Sequence, residues 1–468
     1  MKAGVFLQRF QWPAPAVGWQ PWWLIWLALA AGLVVAILPL QYAAALVLGT
    51  ALLLLMLIWP LFGLAVVLLA GPAGAMENHL IGVNLPESGQ LLLAVTLSAW
   101  ILRGVLRRRI IIHKTILNVP FAIFLIIGLV TLVPAASLSY GLKEVIKWVE
   151  MWLVMQMVLD LSATRSEEST TTLWPARRWH KRFDTRWLMA MLLVAGLSQA
   201  LIGIWQFALR GDGPEHFMIL ERFYRAFGTF QQPNPYGGYM GLTASLGIGA
   251  TSGMVFALVH RLRSGQAIPR LEWLWLAFFS VCAIFAGLGL IMSWSRGAWL
   301  GFAGGMVVFL FFLPRRRIVG LALLSTSAIL LGTAMYIDLI PAALSGRLVS
   351  FSEDLQVGDV RGVHITIENY AVIERLAHWQ AGADMARQSL LIGVGFGNYE
   401  PAYQEFALLN WPHPLGHAHN YYLNILAETG VFGALAYLIL WALIFVQVIR
   451  VVDCLSWPQK GLALGLLA

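Results

Sequence analysis

The sequence predicts an all-α protein, a polytopic transmembrane helical bundle of about twelve helices with a large extracytoplasmic loop. Of its 468 residues 59% are hydrophobic and only 12% are charged, about half the charged fraction of an ordinary soluble domain. The apolar residues form about a dozen runs with the length of a spanning helix, which needs about 20 residues. These runs are unbroken and lack the alternation of barrel strands. The first run begins late and others follow at once, so no cleavable signal peptide is expected.

Apolar runs separated by polar or basic breaks predict the individual helices. The twelve predicted helices lie near residues 21–38, 42–59, 60–76, 88–106, 118–137, 142–160, 187–209, 236–259, 271–292, 296–313, 318–340 and 420–449. A further run begins at Gly461 and predicts one more helix. Because the sequence ends within that run, we expect the natural chain to be longer.

Lysine and arginine cluster in alternate connections between these runs. The clusters lie at 103–114, 165–186, 261–270, 315–317 and 450–460, together with Lys2 and Arg9. Cytoplasmic loops carry an excess of Lys and Arg, so these connections and the N-terminus are expected in the cytoplasm. The formal net charge of +8 is therefore read as a topology signal, and no nucleic acid is expected as a partner.

The remaining connections are expected on the extracytoplasmic face. They are residues 210–234, the turn at 293–295 and the long stretch 338–417. In the long stretch, apolar residues at helical spacing predict an amphipathic helix over 371–388, lying on the membrane surface or capping the bundle. The glycine-rich run 393–398 follows a helical pattern and not a strand, so we expect a tight bend there and no nucleotide site.

Four arginines on that face indicate an anionic ligand. Arg210, Arg222 and Arg225 lie in one short segment of a face that is normally poor in positive charge. Arg296 begins an otherwise apolar helix directly after a polar turn. A guanidinium group can hold a phosphate with two hydrogen bonds. The alternatives are ion pairs with neighbouring acids for the loop arginines, and contact with lipid headgroups for Arg296.

Three histidines, His413, His417 and His419, fall within seven residues before the last long helix. No cysteine or nearby acid completes a set of zinc ligands, so neither a metal nor a cofactor is expected. A neutral imidazole can take a proton from a hydroxyl, while the alternative is a histidine that caps the helix beginning near Asn420. Arginines for a diphosphate and a histidine for a hydroxyl together indicate glycan transfer from a polyprenyl-diphosphate carrier.

At these residues the sequence resembles the superfamily of O-antigen ligases and polymerases, polytopic enzymes that transfer glycans from undecaprenyl diphosphate on the outer face of the inner membrane. The ligase motif of His, Asn, nine residues, Gly, two residues and Gly is matched by His419, Asn420, Gly430 and Gly433. The other matching positions are Arg296, Gly297 and Gly301; Arg225, Gly228, Thr229, Phe230, Pro233 and Asn234; and Arg375 and Trp379. The resemblance covers about residues 190–450, and it departs from the ligases at Ala434, where threonine is common.

The resemblance implies a fold like that of C-type glycosyltransferases, with N-terminal transmembrane helices at 1–186 and a catalytic core at 187–468 that includes the extracytoplasmic loop 340–418. It implies that Arg225 and Arg296 hold the donor's diphosphate and that His419 is the general base. The candidates for further substrate contacts are Arg210, Arg222, Arg375, His417 and Asn420. The expected protein is a metal-independent glycan ligase of the bacterial inner membrane, of the kind used in lipopolysaccharide biosynthesis. Its expected acceptor is a glycan, a lipid or a protein.

Two alternatives stay open at the level of sequence. One is an O-antigen-type polymerase, and the other is a transporter of a small anion such as bicarbonate, with the same arginines as its binding site. A transporter would need ionisable residues near the middle of the bilayer. Four charged residues of one predicted helix, Lys143, Glu144, Lys147 and Glu150, lie toward its outer half, where they would form a polar seam facing the catalytic cavity.

Overall fold

The computed structural model describes residues 36–81, 88–106, 112–162, 185–341, 359–366 and 369–468, with a few single positions between them. Within these ranges the chain is helical apart from its connections and one two-stranded ribbon. The all-α prediction is therefore confirmed. Most of the first predicted helix and the basic residues between 163 and 184 lie outside the described residues.

The first helices follow the predicted apolar runs. One compact unit, residues 1–59, contains α1 (Leu40–Ile58). The second unit, residues 60–468, begins with α2 (Pro60–Ala70), a 3-10 turn (Gly71–Ala73) and α3 (Gly74–Ile81). It continues with α4 (Ser88–Leu106), α5 (Asn118–Val130) and α6 (Leu138–Ser162).

The rest of the second unit contains the segments with the candidate site residues. Helix α7 (Thr185–Ala208) leads into an antiparallel ribbon of β1 (Met218–Ile219) and β2 (Phe223–Tyr224), in which Met218 is opposite Tyr224. The remaining helices are α8 (Pro233–Arg263), α9 (Arg270–Met292), α10 (Arg296–Phe312), α11 (Arg317–Tyr336), α12 (Tyr370–Gln388), α13 (Tyr399–Phe406), α14 (Tyr421–Val451) and α15 (Trp457–Leu467).

Eight helical stretches of the described residues are long and apolar enough to cross a membrane. They are α1, α4, α7, α8, α9, α11, α14 and the combined stretch Pro60–Glu77. Helices α5 and α10 are apolar but have only 13 and 17 residues. Helix α5 is shorter than predicted because a series of turns ahead of Pro134 ends it at Val130. The polytopic architecture is thus confirmed.

Helix α8 forms the centre of the second unit and has buried residues along its whole length. Prolines at 233 and 235 suit its first turn, where backbone N–H groups have no helical partner. Its glycines allow α15 to approach closely: a Cβ on Gly249 would lie 2.3 Å from the carbonyl oxygen of Gly461. The run beginning at Gly461 is therefore helical, as predicted, and α15 begins slightly earlier at Trp457.

Ion pairs join the basic connections at one end of the second unit. Glu272, at the start of α9, accepts hydrogen bonds from Arg186 at 3.1 Å and lies 3.7 Å from Arg261 at the end of α8. Asp453, just after α14, pairs with Arg317 at the start of α11 and with Lys460 of α15. Arg186, Ser456 and Gln459 line one small pocket, so both ion-pair groups belong to the same end. These connections share one end, as their common basic character predicted.

The amphipathic helix predicted over 371–388 is present as α12, and it packs against α13 and α14. Its most buried side includes His378, Ala381 and Met385, whereas three of the apolar residues at helical spacing, Leu376, Trp379 and Ala383, are half-buried. The buried face is rotated from the predicted one because α12 is covered on two sides. Ala381 and Met385 join a cluster with Tyr399, Tyr403, Ala418 and Ala427, and Ile373 and Ala377 join one with Val360 and Trp411.

Candidate active site

Two asparagines fix the backbone around His419 at the start of α14. Asn420 is the N-cap residue, and its Oδ1 accepts a hydrogen bond from the backbone N–H of Leu423 at 3.2 Å. Asn424 Oδ1 accepts one from the N–H of Ala418 at 3.0 Å. Between these anchors His419 has a φ of +51°, a left-handed conformation that histidine adopts more readily than most residues. The predicted helix start near Asn420 is confirmed, and the cap is Asn420 itself.

Gly430 interrupts α14 and creates the docking point for the glycine-rich bend. Its φ of 63° and ψ of −167° are non-helical, in a region that is essentially accessible to glycine alone. The interruption leaves the carbonyl groups of Ala427 and Glu428 available to other donors. The N–H groups of Val394 and Gly395 donate to these two carbonyls at 2.9 Å each. The bend predicted at 393–398 therefore forms, and it is held against the break in α14.

The side chain of Glu428 fastens the same bend a second time. Its carboxylate accepts hydrogen bonds from the N–H groups of Gly397 at 3.0 Å and Tyr399 at 3.2 Å. Glu428 is only 5% exposed. An acidic residue within a spanning helix is by itself a signal of a special role. Glu428 is not among the predicted site residues, although this signal is present in the run 421–449.

Tyr399 in turn orients His378, which is also absent from the predicted site residues. The Tyr399 hydroxyl donates to the carbonyl oxygen of His378 at 3.1 Å, so its oxygen is left to accept from Nδ1–H of His378 at 3.0 Å. His378 is thereby held as the neutral form with its proton on Nδ1. Its ring stacks on Tyr403 at 4.8 Å and lies edge-on to His419 at 5.5 Å between ring centroids. No sequence pattern distinguishes His378 from an ordinary core histidine.

His419 is a partly buried, neutral imidazole. Burial, together with His417, His378 and Arg375, lowers the pKa of His419 to about 4. The exposed ring of His417 contacts it at 4.4 Å between centroids. The Nε2 atom of His419 is buried and has no hydrogen-bond partner among the residues that the structure describes. The ring is therefore uncharged at neutral pH, with one nitrogen that none of the described residues satisfies.

The structure brings Arg225 to the start of α10. Arg225 Nε donates to the carbonyl oxygen of Ser293 at 3.0 Å, and Nη2 donates to Asn234 Oδ1 at 3.1 Å. The Ser295 hydroxyl donates to the same Asn234 oxygen at 2.9 Å. Since Ser293 and Ser295 form the turn that leads into Arg296, the first residue of α10, the guanidinium group of Arg225 lies beside this helix start. Two arginines far apart in the sequence thus meet at one turn.

Arg375 of α12 connects this turn with the histidines. Burial and the neighbouring Arg296 lower the pKa of Arg375, while Glu374 opposes the change, so the two guanidinium groups are close enough to repel each other. Arg375 also lines a pocket of about 380 Å³ whose other lining residues are His417, His419, Asn420, Tyr421 and Asn424. The pocket therefore combines a partly buried cation with a neutral imidazole.

The other two candidate arginines keep to the 210–224 segment. Arg210 pairs with Asp212 at 2.6 Å and lies 5.6 Å from the ring centroid of Trp205. Arg222 lies over the ring of Phe223 at 5.3 Å. Both side chains are exposed. The ion pair between Arg210 and Asp212 is the alternative to a ligand contact that the sequence left open for this arginine.

Helices α5 and α6 support the bend from the opposite side. A Cβ on Gly397 would lie 2.9 Å from Cβ of Glu144, and Glu144 pairs with Lys147 at 3.1 Å. Phe396 packs edge-on against Phe124 of α5 at 5.5 Å. Of the charged residues predicted to form a seam on α6, Glu144 thus lies against the bend. In the part of the chain that the structure describes, no group of three or more His, Cys, Asp or Glu side chains is arranged to hold a metal ion.

Comparison with protein families identifies the same region. Residues 281–438 match the family model described as O-antigen ligase, the superfamily that the motifs resemble. The match runs from within α9 into α14, and it includes Arg296, Arg375, His419 and Asn420, while Arg225 precedes it. None of the curated proteins matches the chain.

Proposed function

We propose that this membrane protein, whose residues 281–438 match the O-antigen ligase family model, is an enzyme that transfers a glycan from polyprenyl diphosphate, in bacteria undecaprenyl diphosphate, to an acceptor hydroxyl. The observation that carries the proposal is the pocket shared by Arg375 and His419. This pocket is lined both by the guanidinium group of Arg375 and by His419, whose buried imidazole nitrogen has no partner among the described residues. Such an arrangement suits a reaction between an anionic donor and a neutral hydroxyl.

The arginines are proposed to hold the diphosphate of the donor. When the bond to the glycan breaks, negative charge develops on the leaving diphosphate, and cationic N–H donors stabilise it most if they are already in place. Arg225 is fixed by its hydrogen bonds to Ser293 and Asn234. Arg375 is close enough to Arg296 for the charge of Arg296 to lower the pKa of Arg375. This preorganisation supports a role for the three arginines at the leaving group.

His419 is proposed to act as the general base. Its Nε2 accepts the proton of the acceptor hydroxyl while the hydroxyl oxygen bonds to the anomeric carbon. The bond between that carbon and the diphosphate oxygen breaks, and its electron pair leaves with the polyprenyl diphosphate. A single direct displacement of this kind inverts the anomeric centre. Asn420 and His417, at the edge of the same pocket, are proposed to contact the acceptor.

The reaction is proposed to occur on the extracytoplasmic face of the inner membrane. The basic connections that contain Arg186, Arg261, Arg317 and Lys460 share the end of the bundle marked by Glu272 and Asp453, and cytoplasmic loops are the ones rich in Lys and Arg. The pocket belongs to the segments that alternate with these connections. Arg210 and Arg222, exposed on the same segment as Arg225, are proposed as outer contacts for the donor.

Glycan transfer by purified protein, with EDTA present, tests the proposal. The donor is a polyprenyl-diphosphate-linked glycan labelled in its sugar, and the acceptors are a lipid-linked core glycan, a protein and a free glycan. Transfer is expected to survive chelation, to invert the anomeric centre, and to fall by about 100-fold or more in His419→Ala and in Arg296→Ala. The control is His413→Ala, because His413 is an exposed histidine of the same loop and its variant should retain the parent rate.

Several outcomes would revise the proposal. Parent-like transfer by His419→Ala would remove the general base. A parent protein that neither transfers glycan nor releases polyprenyl diphosphate, but moves bicarbonate across proteoliposomes, would replace the enzyme with a transporter. Products extended by many repeat units would indicate a polymerase, and a single addition would indicate a ligase.

A further inference from the structure

The loop that carries Arg225 is held rigidly although it has no regular secondary structure. The N–H of Arg225 donates to the carbonyl oxygen of Phe217, and the N–H of Ala226 donates to that of Met292, both at 2.9 Å. The N–H groups of the next three residues, 227–229, donate to no backbone carbonyl group among the described residues. Buried N–H groups without partners are costly, so side chains must supply the acceptors.

Two buried glutamines of α7 supply them. Gln206 Oε1 accepts from the N–H groups of Phe227 at 3.0 Å and Gly228 at 2.7 Å, and Gln206 Nε2 donates to the carbonyl oxygen of Gly228 at 2.9 Å. Gln199 Oε1 accepts from the N–H of Thr229 at 3.1 Å. The Thr229 hydroxyl lies 3.0 Å from the same oxygen and also contacts the carbonyl oxygen of Pro72, so its one proton is shared between these two acceptors. Gln206 is 5% exposed and Gln199 is 3% exposed.

Among the residues that the structure describes, these glutamines bind the loop and not a neighbouring helix. They are seven residues apart, which places them on one face of α7, and the hydrogen bonds of both amides go to residues 227–229. The loop packs closely against its neighbours at Gly228, whose φ is +54°. A Cβ at this position would lie 2.7 Å from the Tyr236 ring and 2.8 Å from Gln199 Oε1. The main chain after Arg225 is thus fixed to α7, while its guanidinium group is fixed to the turn before α10.

We propose that Gln206, assisted by Gln199, is a positioning residue for glycan transfer, which holds the 225–229 loop so that the Arg225 guanidinium meets the donor's diphosphate. The proposal rests on the proposed function, because it assigns to Arg225 the task of binding that diphosphate. Gln206 acts through Arg225 and does not itself touch the donor. A polar side chain inside a spanning helix otherwise serves to bind helices together, and the test must separate these two roles.

Gln156 of α6 provides a matched control. It is 1% exposed, its Oε1 accepts from the N–H of His113 at 2.8 Å, and its Nε2 donates to Asn118 Oδ1 at 3.0 Å. It therefore fixes a loop in the same way, but it does so before α5 and away from Arg225. The variants Gln206→Met and Gln156→Met each replace a buried amide with an apolar side chain of similar length.

The experiment measures donor kinetics and thermal unfolding of both purified variants. We expect Gln206→Met to lower kcat/KM for the polyprenyl-diphosphate donor about tenfold or more, since misplacement by about 1 Å costs up to about 100-fold. The KM for the acceptor should not change. Gln156→Met should remain within about twofold of the parent in kcat/KM, even where its unfolding temperature falls as far as that of Gln206→Met.

A double-variant cycle with Arg225→Ala adds a readout that a purely structural role would not move. In that background Gln206→Met is expected to change kcat/KM by less than about twofold, because nothing is left for it to position. Equal kinetic losses in Gln206→Met and Gln156→Met, or fully additive losses in the cycle, would overturn the proposal. If Gln206→Met does not accumulate as folded protein, the same experiment is made with Gln199→Met, for which we expect a smaller loss of kcat/KM. Absence of transfer by the parent would instead overturn the proposed function.

Discussion

The base proposed for this reaction, His419, is held in a backbone conformation that few side chains adopt. Its φ of +51° carries a cost of about 1–3 kcal/mol for most residues, and Asn420 and Asn424 impose it from both sides. The same geometry turns the ring toward His378 and His417. Strain of this kind is retained where a side chain must be presented in one direction, and here it presents the imidazole to the pocket.

The pH dependence of the reaction follows from the environment of His419. An unperturbed histidine would become protonated and lose activity below about pH 6.5. Because burial and its charged neighbours lower the pKa of His419 to about 4, the base stays unprotonated down to that pH. We therefore expect kcat/KM of the parent, measured between pH 4 and pH 8, to be flat through pH 6 and to fall only near pH 4.

The variant His417→Gln serves as the internal test of that pH profile. His417 contributes to the lowered pKa of His419, so its removal should move the fall in kcat/KM to higher pH, while His413→Gln should leave it in place. A parent profile that already falls near pH 6.5, with no change in His417→Gln, would contradict the described environment of His419.

Residues with a local signal were predictable, and residues whose role depends on the fold were not. The spacing of His419, Asn420 and Gly430 was visible in the sequence because one helix start and one helix break lie within a single segment. His378 and Gln206 gave no such signal, since each acquires its role from partners 21 or more residues away.

At the scale of elements, the break in α14 organises the pocket. It lets the bend at 393–398 dock on the carbonyl groups of Ala427 and Glu428, and this docking fixes α12, with Arg375, against α14, with His419 at its start. A continuous helix would use these carbonyl groups internally. The docking of the bend on this break thus explains why the motif has a glycine at Gly430.

Substitution of Gly430 is expected to disrupt this junction. Gly430→Ala introduces a Cβ 2.3 Å from the carbonyl carbon of Leu391 at a φ of 63°, so we expect a loss of at least about 2 kcal/mol of stability. The control Gly287→Ala adds a Cβ in α9 with no atom within 4 Å and should change stability by less than about 0.5 kcal/mol. Thermal unfolding of both purified variants measures the difference, and equal unfolding temperatures would refute the docking role of the break.

The elements themselves were largely predictable because long apolar runs in the sequence indicate membrane helices. The predicted ends failed where a tertiary or local feature intervened: the turns before Pro134 shorten α5, and packing on two sides rotates the buried face of α12. Hydropathy does not encode either effect. The run at 421–449 predicted a single helix, and its interruption at Gly430 depends on the bend that docks there.

At the scale of the whole molecule, two groups of ion pairs mark one end of the second unit. The ion pairs of Glu272 and Asp453 involve the basic connections. The pocket of Arg375 and His419 belongs to the alternate connections. Under the proposed function, a lipid-linked donor that is completed in the cytoplasm reaches this pocket after it has crossed the membrane.

Cysteine labelling tests that orientation. Cys282 is buried and Cys454 is exposed beside Asp453, so Cys454→Ser provides a background without an accessible thiol. In it, His413→Cys should react with a membrane-impermeant maleimide in intact spheroplasts, and Arg316→Cys should react only after permeabilisation. Both parent positions are exposed. The reverse pattern would place the pocket in the cytoplasm and contradict the proposed site of reaction.

The central claim is that the arginines hold the diphosphate while His419 acts only on the acceptor hydroxyl. Direct binding of a labelled polyprenyl-diphosphate glycan, measured with single-turnover transfer in the same samples, tests this division of roles. We expect His419→Ala to bind the donor as tightly as the parent and to form no product, and Arg296→Ala to lose donor binding. A His419→Ala variant that loses donor binding as severely as Arg296→Ala, or that still forms product at the parent rate, would contradict the account.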